Sequence, residues 1–200
     1  MTESKLKILG IGGTTRDGSS SEKALAISLA AAAEAGAEIL MISGSDLILP
    51  MYAPDDKSRS PEAKRLVEAF SECDGIIISS AAYHGSISGL VKNALDYVED
   101  VREGKRVYFD GVAAGLIACG GGWQATGQTL ATLRAIAHAL RAWPTPLGAM
   151  LNTSMKLFDE NGACTDLSVK LQLETVGRQV VEFARMASAY RVNPRVECQA

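Results

Sequence analysis

Short apolar runs alternate along the chain with longer stretches in which apolar residues recur at helical spacing. Leu6–Ile11 reads as a buried strand ending in Gly12-Gly13, and the alanine-rich segment Glu22–Ala35 reads as a helix closed by Gly36. Together they form a first βα unit. Glu38–Ser43 is a second strand, followed by a longer loop holding Leu49-Pro50-Met51-Tyr52-Ala53-Pro54. A helix opens at Ser60-Pro61-Glu62, where a capping serine precedes a proline at the first helical position. Gly75–Ser80 and Val112–Cys119 are further apolar strands, followed by helical patterns near Leu90–Val98 and Ala125–Leu140. Leu147–Leu151 is the fifth strand. Lys156–Thr165 makes a short excursion turning at Glu160-Asn161-Gly162, and Asp166 caps a long amphipathic helix reaching about Tyr190. The tail Arg191–Ala200 is expected to be loose.

Apolar strands alternating with helices imply a parallel sheet covered on both faces. Five such units suit an α/β, flavodoxin-like doubly wound sheet of five parallel strands in the order 2-1-3-4-5, with helices on both faces. No repeat, low-complexity tract or linker divides the chain, and 200 residues with 47% hydrophobic content suit one core, so residues 1–190 are expected to form a single domain. In this strand order the topological switch lies between strands one and three, and ligands bind outside the carboxyl ends of those two strands.

A net charge of −3 and a pI near 5.5 give no electrostatic reason to expect binding to nucleic acid or an anionic membrane. Cys73, Cys119, Cys164 and Cys198 are widely separated, with no C-x-x-C pair and no histidines at ligand spacing. Reduced thiols, a cytoplasmic location and no metal site are expected. Met1–Lys7 is polar and leads straight into a strand, so no signal peptide is expected. No apolar run approaches the roughly 20 residues that span a bilayer.

Three loops carry the candidate chemistry. The first, Gly12-Gly13-Thr14-Thr15-Arg16-Asp17-Gly18-Ser19-Ser20-Ser21, offers five hydroxyls, a guanidinium and a helix N-terminus, which suits a terminal phosphate. The same serines also suit a plain helix cap. The second loop, after the third strand, holds small and hydroxyl residues around Tyr83-His84-Gly85-Ser86, and Tyr83 can support or cover a planar ring. The third, Cys119-Gly120-Gly121-Gly122-Trp123, could offer backbone donors to such a ring, or be only a turn with an anchoring tryptophan. Lys92 and Asp96 stand at i,i+4 spacing and read as a surface ion pair outside the site. His84 and His138 carry no acid–base assignment, and Cys119 reads as a small strand-end filler. A dinucleotide-binding G-x-G-x-x-G is disfavoured, because Thr15 occupies the third glycine position and no acidic residue closes the second strand. Neither a P-loop nor a G-x-S-x-G nucleophile elbow is present.

Gly13-Thr-Thr-Arg-Asp-Gly-Ser19, Leu49-Pro-Met-Tyr52, Tyr83-His-Gly-Ser-Ile-Ser-Gly-Leu-Val-Lys-Asn-Ala-Leu-Asp96 and the glycine loop at Gly120 occur in an order that resembles the NADPH-dependent FMN reductase family. The resemblance spans roughly Lys5 to Leu151 and implies FMN as cofactor with NADPH or NADH as co-substrate. It implies Thr14, Arg16, Ser19 and Ser21 at the phosphate, Tyr83, His84, Gly85 and Ser86 beside the isoalloxazine, and Gly120, Gly121 and Gly122 along its pyrimidine side. Many relatives carry Pro-Glu before the tyrosine, where this chain has Ala81-Ala82. The implied activity is hydride transfer from nicotinamide to flavin N5, with onward reduction of a quinone, azo compound, metal oxyanion or oxygen, or release of reduced FMN to a partner monooxygenase. The alternative is a non-enzymatic flavodoxin-like electron carrier. A homodimer or homotetramer is implied, with the Leu90–Tyr97 helix and its neighbouring loops as the contact surface.

Overall fold

The computed structural model of the chain describes residues 5–192. Its elements run β1 (Lys7–Gly13), α1 (Ser20–Glu34), β2 (Glu38–Ser43), α2 (Pro61–Glu72), β3 (Gly75–Tyr83), β4 (Ser86–Ile87), α3 (Gly89–Asp96), β5 (Ala113–Gly120), α4 (Trp123–Ala139), β6 (Trp143–Pro144), β7 (Ala149–Asn152) and α5 (Leu167–Val192). The first four long strands pair in parallel in the order β2-β1-β3-β5. β6 and β7 both extend the sheet beyond β5, β6 beside Ala113 and Ala114 and β7 beside Ile117 to Gly120. The order is therefore the expected 2-1-3-4-5, with the fifth strand in two pieces.

Two corrections make the sheet seven-stranded rather than five-stranded. The fifth strand is broken across residues 145–148, a stretch that includes Pro146, whose nitrogen cannot donate to a ladder; the break falls on an edge, where a missing bond is tolerated. β3 also runs past Ser80 to Tyr83 and folds back antiparallel as β4, pairing Ala82 with Ile87 and Tyr83 with Ser86. His84 and Gly85 join the two strands with φ of 52° and 80°. Two successive left-handed residues form the type I′ turn whose twist matches a hairpin. What reads in sequence as an irregular loop is thus a tight hairpin.

Successive strand residues serve opposite faces. Leu9, Ile11, Ile76, Ile78, Ala114 and Leu116 meet α2, α3 and α4, while Ile8, Ile77, Ala113, Ile117 and Cys119 meet α1 and α5. β1, β3 and β5 are buried on both faces, so they carry apolar or small residues almost throughout, whereas the edge strand β2 is largely exposed. α1 and α5 approach unusually closely: a side chain at Gly177 would lie 2.0 Å from the Ser28 carbonyl, and Ser28 Oγ donates to the Leu173 carbonyl at 2.8 Å. Asp166 caps α5 as expected, accepting the Val169 N–H at 3.1 Å. α5 runs to Val192; the rest of the tail lies outside the described residues. No helix among the described residues is long and apolar enough to cross a membrane.

The Leu49-Pro-Met-Tyr52 segment is pinned by α3 and the turn after it. Asn93 accepts the Tyr52 N–H at 2.9 Å and donates to the Leu49 and Pro50 carbonyls, and the Tyr97 hydroxyl donates to Pro50 at 2.9 Å. Arg59 lies near the faces of Tyr52 and Tyr97 and pairs with Asp100 through two bonds of 2.6 and 3.0 Å. The Arg59 hydrogen bond holds the Asp100 carboxyl below its ordinary value. Its depressed folded-state pKa makes this contribution fully present above the unfolded value of about 4, and it is lost as pH falls through the folded value. Asp100→Asn is expected to cost about 1–3 kcal/mol at pH 7, part of the pair being solvent-screened, and much less below pH 3. Urea unfolding of wild type and variant at the two pH values checks this; an equal difference at both would remove the ion pair as the cause.

Candidate functional site

The carboxyl ends of β1, β3 and β5 enclose a cleft of about 370 Å³ lined by Thr14, Arg16, Ser19, Ser20, Ser21, Ala81, Ala82, Tyr83, Cys119, Gly120, Gly121 and Thr153. It stands at the topological switch between β1 and β3.

One end of the cleft gathers hydroxyls, a guanidinium and the start of α1. Ser19 is the N-cap of α1, its Oγ accepting the Glu22 N–H at 3.3 Å, which makes the helix begin at Ser20 rather than at the expected Glu22. N–H groups at a helix start have no intrahelical acceptor, so those of Ser20 and Ser21 are directed out of the helix end, where the backbone dipole adds partial positive charge. Ser19 and Ser21 are buried with their hydroxyls 3.3 Å apart, and Thr14 Oγ1 accepts the Arg16 N–H at 3.1 Å. The Arg16 side chain forms no ion pair among the described residues. Ser79 Oγ on β3 donates to the Ser21 carbonyl at 2.7 Å and locks the loop to the sheet.

The other end is flat, small and mostly main chain. Gly120 cannot be larger, because a Cβ there would lie 2.7 Å from that of Ala82; Gly121 and Gly122 have nothing within 4 Å of the same position. The triple glycine therefore divides into one residue required by packing and two that border open space. Cys119 forms part of the floor, and burial pushes its thiol up to about 12 despite an opposing Ser79 hydroxyl. A thiol so held stays protonated and is no nucleophile. Tyr83, 55% exposed, stands at the rim. Among the described residues, Arg16, Tyr83 and Cys119 are the titratable ones in the lining, and no carboxylate or imidazole is among them.

Of the residues expected from sequence, Thr14, Arg16, Ser19, Ser21, Tyr83, Gly120 and Gly121 meet around this one cleft, whereas His84, Gly85, Ser86 and Gly122 fall outside its lining. The hairpin explains the first three, since His84 and Gly85 form its turn and Ser86 begins the return strand. Ser20, Ala81, Ala82, Cys119 and Thr153 line the cleft without having been singled out. Ala81 and Ala82 lie there because β3 runs on past its last pairing with β1 at Ser80. Thr153 arrives only because β7 lies beside β5, with the Thr153 N–H donating to the Gly120 carbonyl at 2.8 Å. Lys92 and Asp96 form the expected exposed ion pair at 2.5 Å. Among the described residues Cys73, Cys119 and Cys164 are free thiols, and no cluster of histidine, cysteine and carboxylate residues could hold a metal.

A doubly wound parallel sheet whose switch-point cleft lies between a hydroxyl-rich loop and a glycine-bordered recess is a flavodoxin-like fold with a candidate ligand site. Residues 6–155 match the family model described as NADPH-dependent FMN reductase, and the chain belongs to that family. It is an NAD(P)H-dependent FMN oxidoreductase. An NAD(P)H-dependent FMN reductase of Pseudomonas aeruginosa is 28% identical over 166 residues, covering 80% of this chain and 85% of that protein. An NADPH azoreductase of a Bacillus species is 37% identical over 51 residues, a stretch that is 25% of this chain and only 29% of the azoreductase. The solved structure of FerB, a flavoenzyme NAD(P)H:(acceptor) oxidoreductase from Paracoccus denitrificans, superposes with a TM-score of 0.64 at 20% identity, covering 91% of this chain and 98% of that one. At that identity the likeness is one of fold.

Proposed function

We propose that the cleft holds FMN with its phosphate at the start of α1 and its ring toward Tyr83 and Gly120–Gly121, and that the enzyme passes electrons from NADPH or NADH to a small acceptor. The observation that carries this reading is the division of the cleft: hydroxyls and an unpaired guanidinium at one end, small residues and open main chain at the other, with no acid–base pair between them. Such a lining fits a phosphate joined to a planar ring and leaves the redox chemistry to the bound group. Bound FMN supplies a ring that accepts hydride from a reduced nicotinamide. The protein's share is position: Thr14, Arg16 and Ser19–Ser21 fix the phosphate, Ala81, Ala82 and Gly120 make the floor flat, and Tyr83 borders the face where a second ring stacks. His84, Gly85, Ser86 and Gly122 act from outside the lining, His84 and Gly85 by turning the hairpin that carries Tyr83.

The acceptor is a quinone, azo compound, metal oxyanion or oxygen, or a monooxygenase that takes released reduced FMN. The chain works in the cytoplasm as a homodimer or homotetramer through α3 and its neighbouring loops; the three free thiols among the described residues support the first assignment and the family resemblance the second. Anaerobic mixing of the purified protein and FMN with NADPH, then separately with NADH, tests the activity. Protein-dependent bleaching of the oxidised-flavin absorbance without any second protein is expected. Bound FMN that neither nucleotide bleaches would instead make the chain an electron carrier.

A further inference from the structure

The loop assigned to the phosphate encloses a fixed negative charge. Glu22, the third residue of α1, turns its carboxylate back under the loop: Oε2 accepts the Gly18 N–H at 2.8 Å and Oε1 accepts the Ser43 hydroxyl at 2.9 Å. Gly13 and Gly44 complete the enclosure, since a Cβ on Gly13 would lie 3.5 Å from Glu22 Cβ and one on Gly44 would lie 3.4 Å from Oε1. No cation pairs with Glu22 among the described residues. Its neighbour Lys23 lays its methylenes against the Gly162 turn and holds its ammonium 5.8 Å from the centre of the Phe158 ring. Between Thr14 and Lys23 the charges of Arg16 and Lys23 are matched by those of Asp17 and Glu22, so the segment carries no net charge toward a dianion.

The arrangement has two consequences for a phosphate at the start of α1. The Gly18 N–H, a main-chain donor beside the N-cap, is taken by Glu22 and is not offered to the ligand. Glu22 lies just outside the cleft lining, and a phosphate seated at the start of α1 would lie within about one helical turn of it and be repelled by its carboxylate. We propose that Glu22 is a negative determinant of cofactor affinity, shaping the loop through its two hydrogen bonds while its charge weakens the hold on the FMN phosphate and keeps the flavin exchangeable. The inference rests on the placement of FMN proposed above. It makes flavin release a built property of the loop, as suits an enzyme whose flavin leaves between turnovers.

Glu22→Gln separates the two roles, because glutamine keeps an acceptor at the same reach and is equally at home at this helix position. Apoprotein is titrated with FMN and with riboflavin, which lacks the phosphate, by quenching of flavin fluorescence, and the melting temperature is checked for both proteins. The variant is expected to bind FMN on the order of three- to tenfold more tightly and release it correspondingly more slowly, with riboflavin affinity unchanged. Glu22→Met, of similar length and uncharged, serves as the second variant and is read by the same FMN-to-riboflavin ratio. If wild type binds FMN but neither variant raises that ratio, the inference fails and the flavin site stands. A wild type that binds neither flavin overturns both.

Discussion

Replacing Arg16 with alanine is expected to weaken FMN binding by about 10- to 100-fold, the range set by roughly 1.5–3 kcal/mol for a charge-assisted hydrogen bond. Stability should scarcely change. Arg16 is exposed, pairs with no carboxylate among the described residues, and its backbone N–H, held by Thr14 Oγ1, is retained in the variant. Riboflavin supplies the internal control: if the guanidinium acts on the phosphate, Arg16→Ala leaves riboflavin affinity as it was. Equal losses for both flavins would place the effect in the shape of the loop, and unchanged FMN affinity would remove Arg16 from the site. The opposite signs expected at Arg16 in the loop and Glu22 in the first turn of α1 make the pair of variants hard to explain by general disturbance of the fold.

Gly121→Leu should abolish measurable flavin binding while leaving the melting temperature within a few degrees of wild type. A Cβ at Gly121 meets nothing within 4 Å, so the folded protein has room for the side chain. That room is the cleft, whose lining includes Gly121. A leucine there would occupy the recess assigned to the ring. The neighbouring glycine gives the contrast: Gly120→Leu puts its Cβ 2.7 Å from that of Ala82 and is expected to destabilise the protein by several kcal/mol. Normal FMN affinity in a folded Gly121→Leu protein would show that the ring lies elsewhere.

The difference between these glycines is not visible in the run Gly120-Gly121-Gly122, and it marks where sequence reading stops. Periodicity located the parallel core because every central strand is dry on both faces and every covering helix carries an apolar stripe. The strand order, and with it the switch point, followed from the alternation of elements. The split of the last strand was less accessible. Its first piece, Trp143–Pro144, lies ahead of the expected Leu147–Leu151, and the prolines at 144 and 146 speak against a strand there. The hairpin at Tyr83–Ser86 was hidden because His-Gly is not among the dipeptides that strongly announce a type I′ turn, although Gly85 supplies one of its two left-handed residues. The hairpin leaves His84, Gly85 and Ser86 outside the lining of the cleft, in the turn and return strand next to Tyr83. Thr153 could not be found from local sequence at all, since it reaches the cleft through the register of β7 on β5. Glu22 looked like the ordinary start of a helix; only the bonds to Gly18 and Ser43 show it enclosed by the loop.

A crystal structure of the protein soaked or co-crystallised with FMN tests most directly whether the cleft at the β1–β3 switch is the flavin site. The phosphate is expected within hydrogen-bond reach of Thr14, Arg16 and Ser19–Ser21, and the ring between Tyr83 and Gly120–Gly121 over the floor of Ala81, Ala82 and Cys119. Flavin ordered elsewhere on the protein, with this cleft filled by solvent alone, would contradict the assignment.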